Sequence, residues 1–481
     1  MTNRTIWIAS LLGLLATACG KPPAPPPLQP LPPPADCRVG PKLDVRRGTI
    51  QVSLAETVDP AHAPDPANDA EWLIFRQLYE TLVTADCEGT IRPGLAAAWA
   101  SADGGRTWIF TLRENARFWD GAPVTARDVR HAWLTSRRRA QAEGRLYPWT
   151  WIRAVDESDA GEQTVTVYLS APLADPGLFT HPVLAVFRAG EAPSSWPVGT
   201  GPYRVREDPP SEALVCENSI GGTLHFWVEP DADPRDLLAT PTDLILTRDR
   251  LALDFVREHP NFGSTPLPWD RIYVIATGGT SAPRDLDAFR EELANLVLAS
   301  DARPAATPTF DGAPCDGYAR PSTDAPVLRV APPDDRLPFV RGRLYYAEGD
   351  EDAGRLAGRI VALAGFGADS SSTLSASLAA LLDAPAGEEP LAQAIDPREL
   401  HAAVKRGEDA AFIVCLHRLL VDPCQVREAY LGPAYDPGAG GLVISLVATR
   451  SHLINRPGLS GVNVDWDGVP RFDGAGWGAL P

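Results

Sequence analysis

The sequence predicts an α/β chain of more than one lobe, and three observations predict it. Its 481 residues exceed what one ordinary core holds and suffice for two or three lobes. Hydrophobic residues make up 44%, which marks a globular body rather than a disordered chain. Stretches of period-2 alternation recur along the chain, and stretches of helical spacing stand between them.

The elements follow in order. Thr49 to Leu54 (TIQVSL) reads as a first strand, and Val58-Asp59-Pro60 closes it because proline cannot continue a ladder. Asn68 or Asp69 can cap a helix with Trp72, Phe75, Leu78, Tyr79 and Leu82 on one side, a stripe of core-packing type. Asp103-Gly104-Gly105 is a turn signal. After it Trp108, Phe110 and Leu112 alternate with Thr107, Ile109 and Thr111, the pattern of a half-buried strand. Trp119 to Pro123 is a second turn, and Thr125 with Asp128 opens a helix carrying Val129, Ala132 and Trp133. Residues 163–169 alternate as a strand, residues 242–247 read as a buried strand, and 269–276 as another. Helical spacing marks 285–300 (Phe289, Leu293, Leu296, Val297) and the stretch holding Leu356, Ile360 and Leu363. Residues 327–330, 343–346 and 411–416 are further strand candidates. Asp396 caps a helix with Pro397 in its first position.

The N-terminus reads as an address. Arg4 precedes an apolar run from Ile6 to Leu15, of signal-peptide length and too short for a stable membrane span. Leu15-Ala16-Thr17-Ala18-Cys19-Gly20 has the form of a bacterial lipobox, which makes Cys19 the lipidation residue; the alternative is an ordinary secretory peptide cut after Ala18. Acyl chains there would anchor the protein, each buried methylene contributing ~0.8 kcal/mol. The proline-dense tract from Lys21 to Pro34 favours extended polyproline II and reads as a stalk, with a docking ligand as the alternative. Six more cysteines (Cys37, Cys87, Cys216, Cys315, Cys415, Cys424) suggest disulfides outside the cytoplasm, and Cys415 with Cys424 is the nearest pair. The net charge of −18 argues against nucleic acid as a partner.

Several phrases agree in order with a known family. Gly94-Leu95-Ala96 with Trp99, the Ser101–Gly104 turn, the Thr107–Arg113 strand and Phe118 to Val129 (FWDGAPVTARDV) follow one another, and Val198 to Tyr203 (VGTGPY) comes later. Together with Arg456 to Val462 (RPGLSGV), they resemble the extracytoplasmic solute-binding proteins of the oligopeptide and dipeptide class, family 5. The resemblance covers roughly Thr49 to the end and is densest up to Tyr203. It implies a two-lobed periplasmic-binding-protein fold of the class II (cluster C) type, with an accessory subdomain in the first lobe. The implied division is signal peptide 1–18, anchored Pro-rich linker 19–40, first lobe 41–75, accessory subdomain 76–188, first lobe again 189–268, second lobe 269–424, and a return to the first lobe over 425–481.

The resemblance also implies a ligand held between the lobes. Its expected neighbours are Ala55, Glu56, Thr57 and Val58, one of the aromatics Tyr147, Trp149 and Trp151, and Thr200 with Gly201. The aromatics equally suit packing. Glycines at 199 and 201 permit close backbone approach, and no Gly-Lys-Ser/Thr follows, so a phosphate loop is unsupported. Family peptide binders carry an aspartate that pairs with the ligand's ammonium. Aligning Asp422-Pro423 with the end of that phrase puts Leu419 at its position.

The function so implied is that of an envelope lipoprotein, facing the periplasm or the exterior. It is expected to be a monomer that binds a peptide or small solute and delivers it to ABC permease subunits. The alternative is a paralogue that keeps the fold as sensor, partner or scaffold. No catalytic residue, metal site or cofactor is expected. G-x-S-x-G, H-E-x-x-H and CxxC are absent, the eight histidines are scattered, and His417 beside Asp422 suits a surface histidine better than a catalytic pair.

Overall fold

A computed structural model describes residues 35–39, 45–142, 147–157, 163–190, 195–206, 213–278, 303–304, 339, 342–365, 378, 381–382, 391–418, 423–431, 435 and 441–478. The signal peptide, Cys19, the proline tract, the helix expected at 285–300, the strand expected at 327–330, and Leu419 and Asp422 lie outside them.

Two large mixed sheets form the two lobes. The first is seven-stranded, in the order Tyr203–Val205, Leu214–Asn218, Thr223–Val228, Thr49–Leu54, Leu244–Thr247, His452–Asn455, Gly263–Pro266. Thr49–Leu54 is its central strand and runs parallel to both neighbours. A strand covered on both faces needs apolar residues on both, and Ile50, Val52 and Leu54 lie buried together with Ser53.

The second sheet is six-stranded, in the order Arg303–Pro304, Gly441–Thr449, Arg271–Gly278, Ala411–His417, Arg343–Ala347, Leu391–Ile395. Arg271–Gly278 lies between two antiparallel partners. Its alternate residues enter two separate cores: Tyr273 and Ile275 pack under the helix Glu351–Gly365, and Val274 and Ala276 under the helix Pro397–Arg406. That double burial is why the sequence there is a continuous apolar run rather than an alternating one.

The lobes join at two short crossings, residues 267–270 and 450–451. The crossing strands pair with each other on both sides of the junction. Within the junction the Leu267 amide donates to the Ser451 carbonyl at 2.9 Å and the Asp270 amide to the Thr449 carbonyl at 3.3 Å.

A four-stranded antiparallel sheet, Ala96–Ala102, Thr107–Leu112, Thr164–Leu169 and Ile152–Glu157, stands apart from both. Trp108, Phe110 and Leu112 face its core as their alternation predicts. Thr107 is buried as well, because its hydroxyl donates to Asp103 at 3.0 Å. The helix Ala126–Ala142 packs on this sheet with Trp133 buried, its indole N–H donating to the Leu184 carbonyl at 2.7 Å. Thr125 and Asp128 cap that helix reciprocally.

The cysteines differ from the nearest-pair expectation. Cys37 is bonded to Cys87, tying the segment before the first lobe to the turn after Val83–Ala85. Cys415 is a free thiol: it occupies an interior strand position opposite Tyr273, with its side chain against the core under Glu351–Gly365. Among the described residues, no helix is long and apolar enough to cross a membrane and no cluster of His, Cys, Asp and Glu could hold a metal.

Candidate functional site between the lobes

The helix Asp69–Leu78 positions the first-lobe side of the site. Asn68 caps it, its side chain accepting from the Glu71 amide at 2.9 Å. The acids Asp69 and Glu71 fall in the first turn, where the free N–H groups and the helix dipole favour negative charge. Glu71 is buried and fixes the preceding loop, accepting from the amides of Asp59 (2.9 Å) and Ala67 (2.8 Å) and from His62 Nδ1 (2.8 Å). Glu56 accepts from the Ala70 amide at 2.9 Å. This ladder of contacts sets the chain from Glu56 to Ala67 against the helix start.

Beside this helix opens a crevice of about 430 Å³, its mouth included. Trp72 and Leu73 line it from the first lobe, His417 and Arg418 from the second, and Asp270 and Ser451 from the crossings. An ion network spans it. Arg248 pairs with Asp69 (3.3 Å) and with both oxygens of Asp270, at 3.0 Å and 2.5 Å, while Arg271 of the second lobe also pairs with Asp69. Burial by itself would raise the Asp69 carboxyl, but the two guanidinium groups hold it well below the usual range. Two arginines on one carboxylate meet the requirement that a buried charge be paired.

Glu56 is the acid of the group without an arginine in direct contact among the described residues. Burial and then the neighbouring Asp69 charge push it up to about 7, against the weaker pull of Arg271 and Arg248. His417 differs from the surface histidine of the sequence reading. It is stacked between Trp72 (5.7 Å between ring centroids, 12° between planes) and Tyr430 (6.5 Å, 23°). Burial and then Arg271 push it down to about 3, so it is neutral at pH 7. A third contact crosses nearby: the Arg418 guanidinium lies 3.2 Å over the Trp466 ring.

The residues named by the sequence fall in three places. Glu56 is bonded to the start of the helix that carries Asp69 and Trp72 but does not itself line the crevice, and Ala55, Thr57 and Val58, its neighbours in the chain, do not line it either. Trp149 and Trp151 are buried in the first-lobe core, and Tyr147 packs edge-on against His181 at 5.6 Å. Thr200 and Gly201 lie under the end of the helix Asp69–Leu78: the Thr200 hydroxyl accepts from the Glu80 amide at 3.2 Å and the Gly201 amide donates to Leu78 at 2.9 Å. A Cβ on Gly201 would come within 2.4 Å of the Gln77 carbonyl, and one on Gly199 within 2.0 Å of that of Leu78. Sequence reasoning missed Asp69 as a network member, together with Trp72, Arg248, Asp270, Arg271 and Arg418. Their spacing along the chain carries no signal, because the crossings alone bring them together. His417 was noticed only for its neighbour in sequence.

Comparison with known proteins places this geometry in context. Residues 90–219 match the model of the bacterial extracellular solute-binding proteins, family 5 (middle). The periplasmic murein peptide-binding protein MppA of Escherichia coli K12 is 37% identical over 119 residues, 23% of this chain and 21% of that one. The nickel-binding periplasmic protein of the same organism is 27% identical over 246 residues, 45% of each chain. These alignments span from about a fifth to under half the length of the relatives. The solved E. coli murein tripeptide binding protein MppA superposes with a TM-score of 0.59 at 16% identity, covering 91% of this chain and all of that one. At that identity the likeness is one of fold, and the fold is the two-lobed one.

Proposed function

We propose that this chain, whose residues 90–219 match the family 5 extracellular solute-binding proteins, is an extracytoplasmic receptor that takes a solute between its lobes and hands it to an ABC permease. The observation that carries the proposal is the pair of crossings. Two short, mutually paired connections join two separately cored lobes, with a charged crevice beside them. That is the arrangement for closure by hinge motion around a ligand. The solute is a peptide or peptide-like molecule. Asp69, Trp72, Arg248 and His417 would meet it first, with Glu56 behind them at the start of the helix. Thr200 and Gly201 hold the far end of the helix that carries Asp69 and Trp72, and Tyr147, Trp149 and Trp151 act as packing residues. Cys19 carries the lipid that holds the protein to the envelope, with the proline tract as spacer, and the receptor acts as a monomer without catalysis of its own.

Native mass spectrometry of the purified protein tests this reading. Co-purified solute, lost on unfolding and exchangeable on refolding, is the expected result. An empty protein that no peptide pool or metal chelate stabilises in a melting scan would favour the paralogue that senses or scaffolds without transport.

A further inference from the structure

The two lobes are held together by the protein's own side chains. Trp72 and His417, from opposite lobes, stack face to face in the crevice. Asp69 of the first lobe pairs with Arg271 of the second, and Arg248 joins the same Asp69 to Asp270 of the crossing. Two carboxylates thus meet two guanidinium groups. Arg418 reaches from the second lobe over the Trp466 ring and donates to the Trp466 carbonyl at 3.3 Å. Trp466 lies on the other side of the junction, just after the strand Val462–Val464, whose valines belong to the first-lobe core. Farther out, Arg355 on the helix Glu351–Gly365 feels the charge of Asp249, the cap of the first-lobe helix Arg250–Glu258, besides that of its neighbour Asp352.

Little room is left between these walls. The part of the crevice open to the centre of a water molecule is about 30 Å³, enough for about two waters. Lobes that close only around a solute bring together groups whose partner is that solute, and burying such groups unpaired is costly. Here the groups of one wall find their partners in the other wall or in the crossing. Closure therefore needs no third molecule to bridge it. Opening, in contrast, separates Arg271 from Asp69 and exposes two stacked rings to water.

Resting on the receptor reading above, we propose that this receptor is self-latched: its lobes are closed at rest, and the Trp72–His417 stack together with the Asp69–Arg271 pair is the latch. Opening, rather than closing, is the step that a solute or the permease has to drive. The open form that admits a solute is then the minor one, and the apparent affinity is lowered by its fraction.

Pulsed electron–electron resonance between two spin labels, one on each lobe, tests the latch. Asp236 on the helix Pro234–Ala239 and Glu351 on the helix Glu351–Gly365 are both exposed and stand on either side of the approach of Arg355 to Asp249. Labels carried there by genetically encoded non-natural residues leave the native cysteines untouched. The full chain is unfolded, dialysed and refolded first, so that any co-purified solute is gone. The stripped wild type should give one narrow distance, that of the closed lobes. Trp72→Leu and His417→Leu should each add a longer component, the closed-to-open ratio falling about two- to tenfold, the worth of an aromatic pair. His417→Phe keeps a ring against Trp72 and should restore the narrow distance, which a loss of general stability would not predict. A stripped wild type whose main distance is longer than that of the closed lobes would overturn the latch, with or without folded variants. So would leucine variants that melt cooperatively and keep the wild-type distribution. No solute enters this measurement, so its failure is separate from that of the receptor reading, which the search for a bound solute decides.

Discussion

Trp72 of the first lobe and His417 of the second lie face to face, 5.7 Å apart and 12° from parallel. Neither residue has a sequence neighbour in common with the other; the crossings at 267–270 and 450–451 create the contact. The stack therefore ties the two lobes together, and the burial of its histidine couples stability to pH.

His417 is held neutral, with a value pushed from 6.5 down to about 3 by burial and then by Arg271, while Asp69 pulls the other way. A depressed value means that the stabilisation is present above pH 6.5 and is lost as pH falls towards 3. Between pH 6.5 and 4.5 the loss is about 1.4 kcal/mol per unit. Melting temperature followed from pH 7 to 4.5 should fall more steeply for the wild type than for His417→Gln. Parallel curves would show that the ring is not buried as described.

Glu56 carries the opposite sign. Its value is raised from 4.5 to about 7, so its contribution is full below 4.5 and is lost as pH rises through 7. Glu56→Gln removes that loss. At pH 8 the variant should be more stable than the wild type by on the order of 1–3 kcal/mol in urea unfolding, and the gap should close by pH 4.5.

Arg248 joins Asp69 to Asp270 from a position that is 10% exposed. Replacing it with methionine leaves both carboxylates short of a partner in a dehydrated crevice. Removal of one member of such a buried network is expected to lower unfolding stability by about 3–5 kcal/mol. Arg248→Lys should recover only part of this, since an ammonium cannot hold Asp270 through two parallel bonds.

Gly201 is required by contact, with the Gln77 carbonyl 2.4 Å from where a Cβ would sit. Gly201→Ala should destabilise by about 1–3 kcal/mol, the usual range for overpacking. It should also disturb the Trp119 indole, which donates to the Gly201 carbonyl at 2.7 Å and gives a fluorescence readout.

The Cys37–Cys87 bond closes a loop of 50 residues. Non-reducing peptide mapping should recover that linked pair, with Cys216 and Cys415 alkylated only after unfolding. Cys37→Ser should cost about 2–4 kcal/mol.

The strands at 49–54, 107–112, 164–169 and 411–417 and the helices capped at Asn68, Thr125 and Asp396 were legible because alternation, spacing and capping are local. The two dense phrases around Trp119 and Gly201 were legible as motifs, and they meet in space: the Trp119 amide donates to Gly199 at 3.1 Å and its indole to Gly201. The disulfide was not legible, since nearness along the chain favoured Cys415 and Cys424 over a pair joined by the fold.

By itself, then, the sequence determined the local elements just named, the two-lobed fold and the resemblance to family 5, all of which rest on local pattern and on phrases that survive in order. Tertiary structure alone decided which charges face one another. Asp69, Arg248, Asp270, Arg271 and His417 are scattered over nearly 350 residues, and His417 minus Asp69 gives 348. Each looks like an ordinary surface group until the two crossings fold the lobes together. Burial then converts them into a paired network, because charges withdrawn from water must find one another.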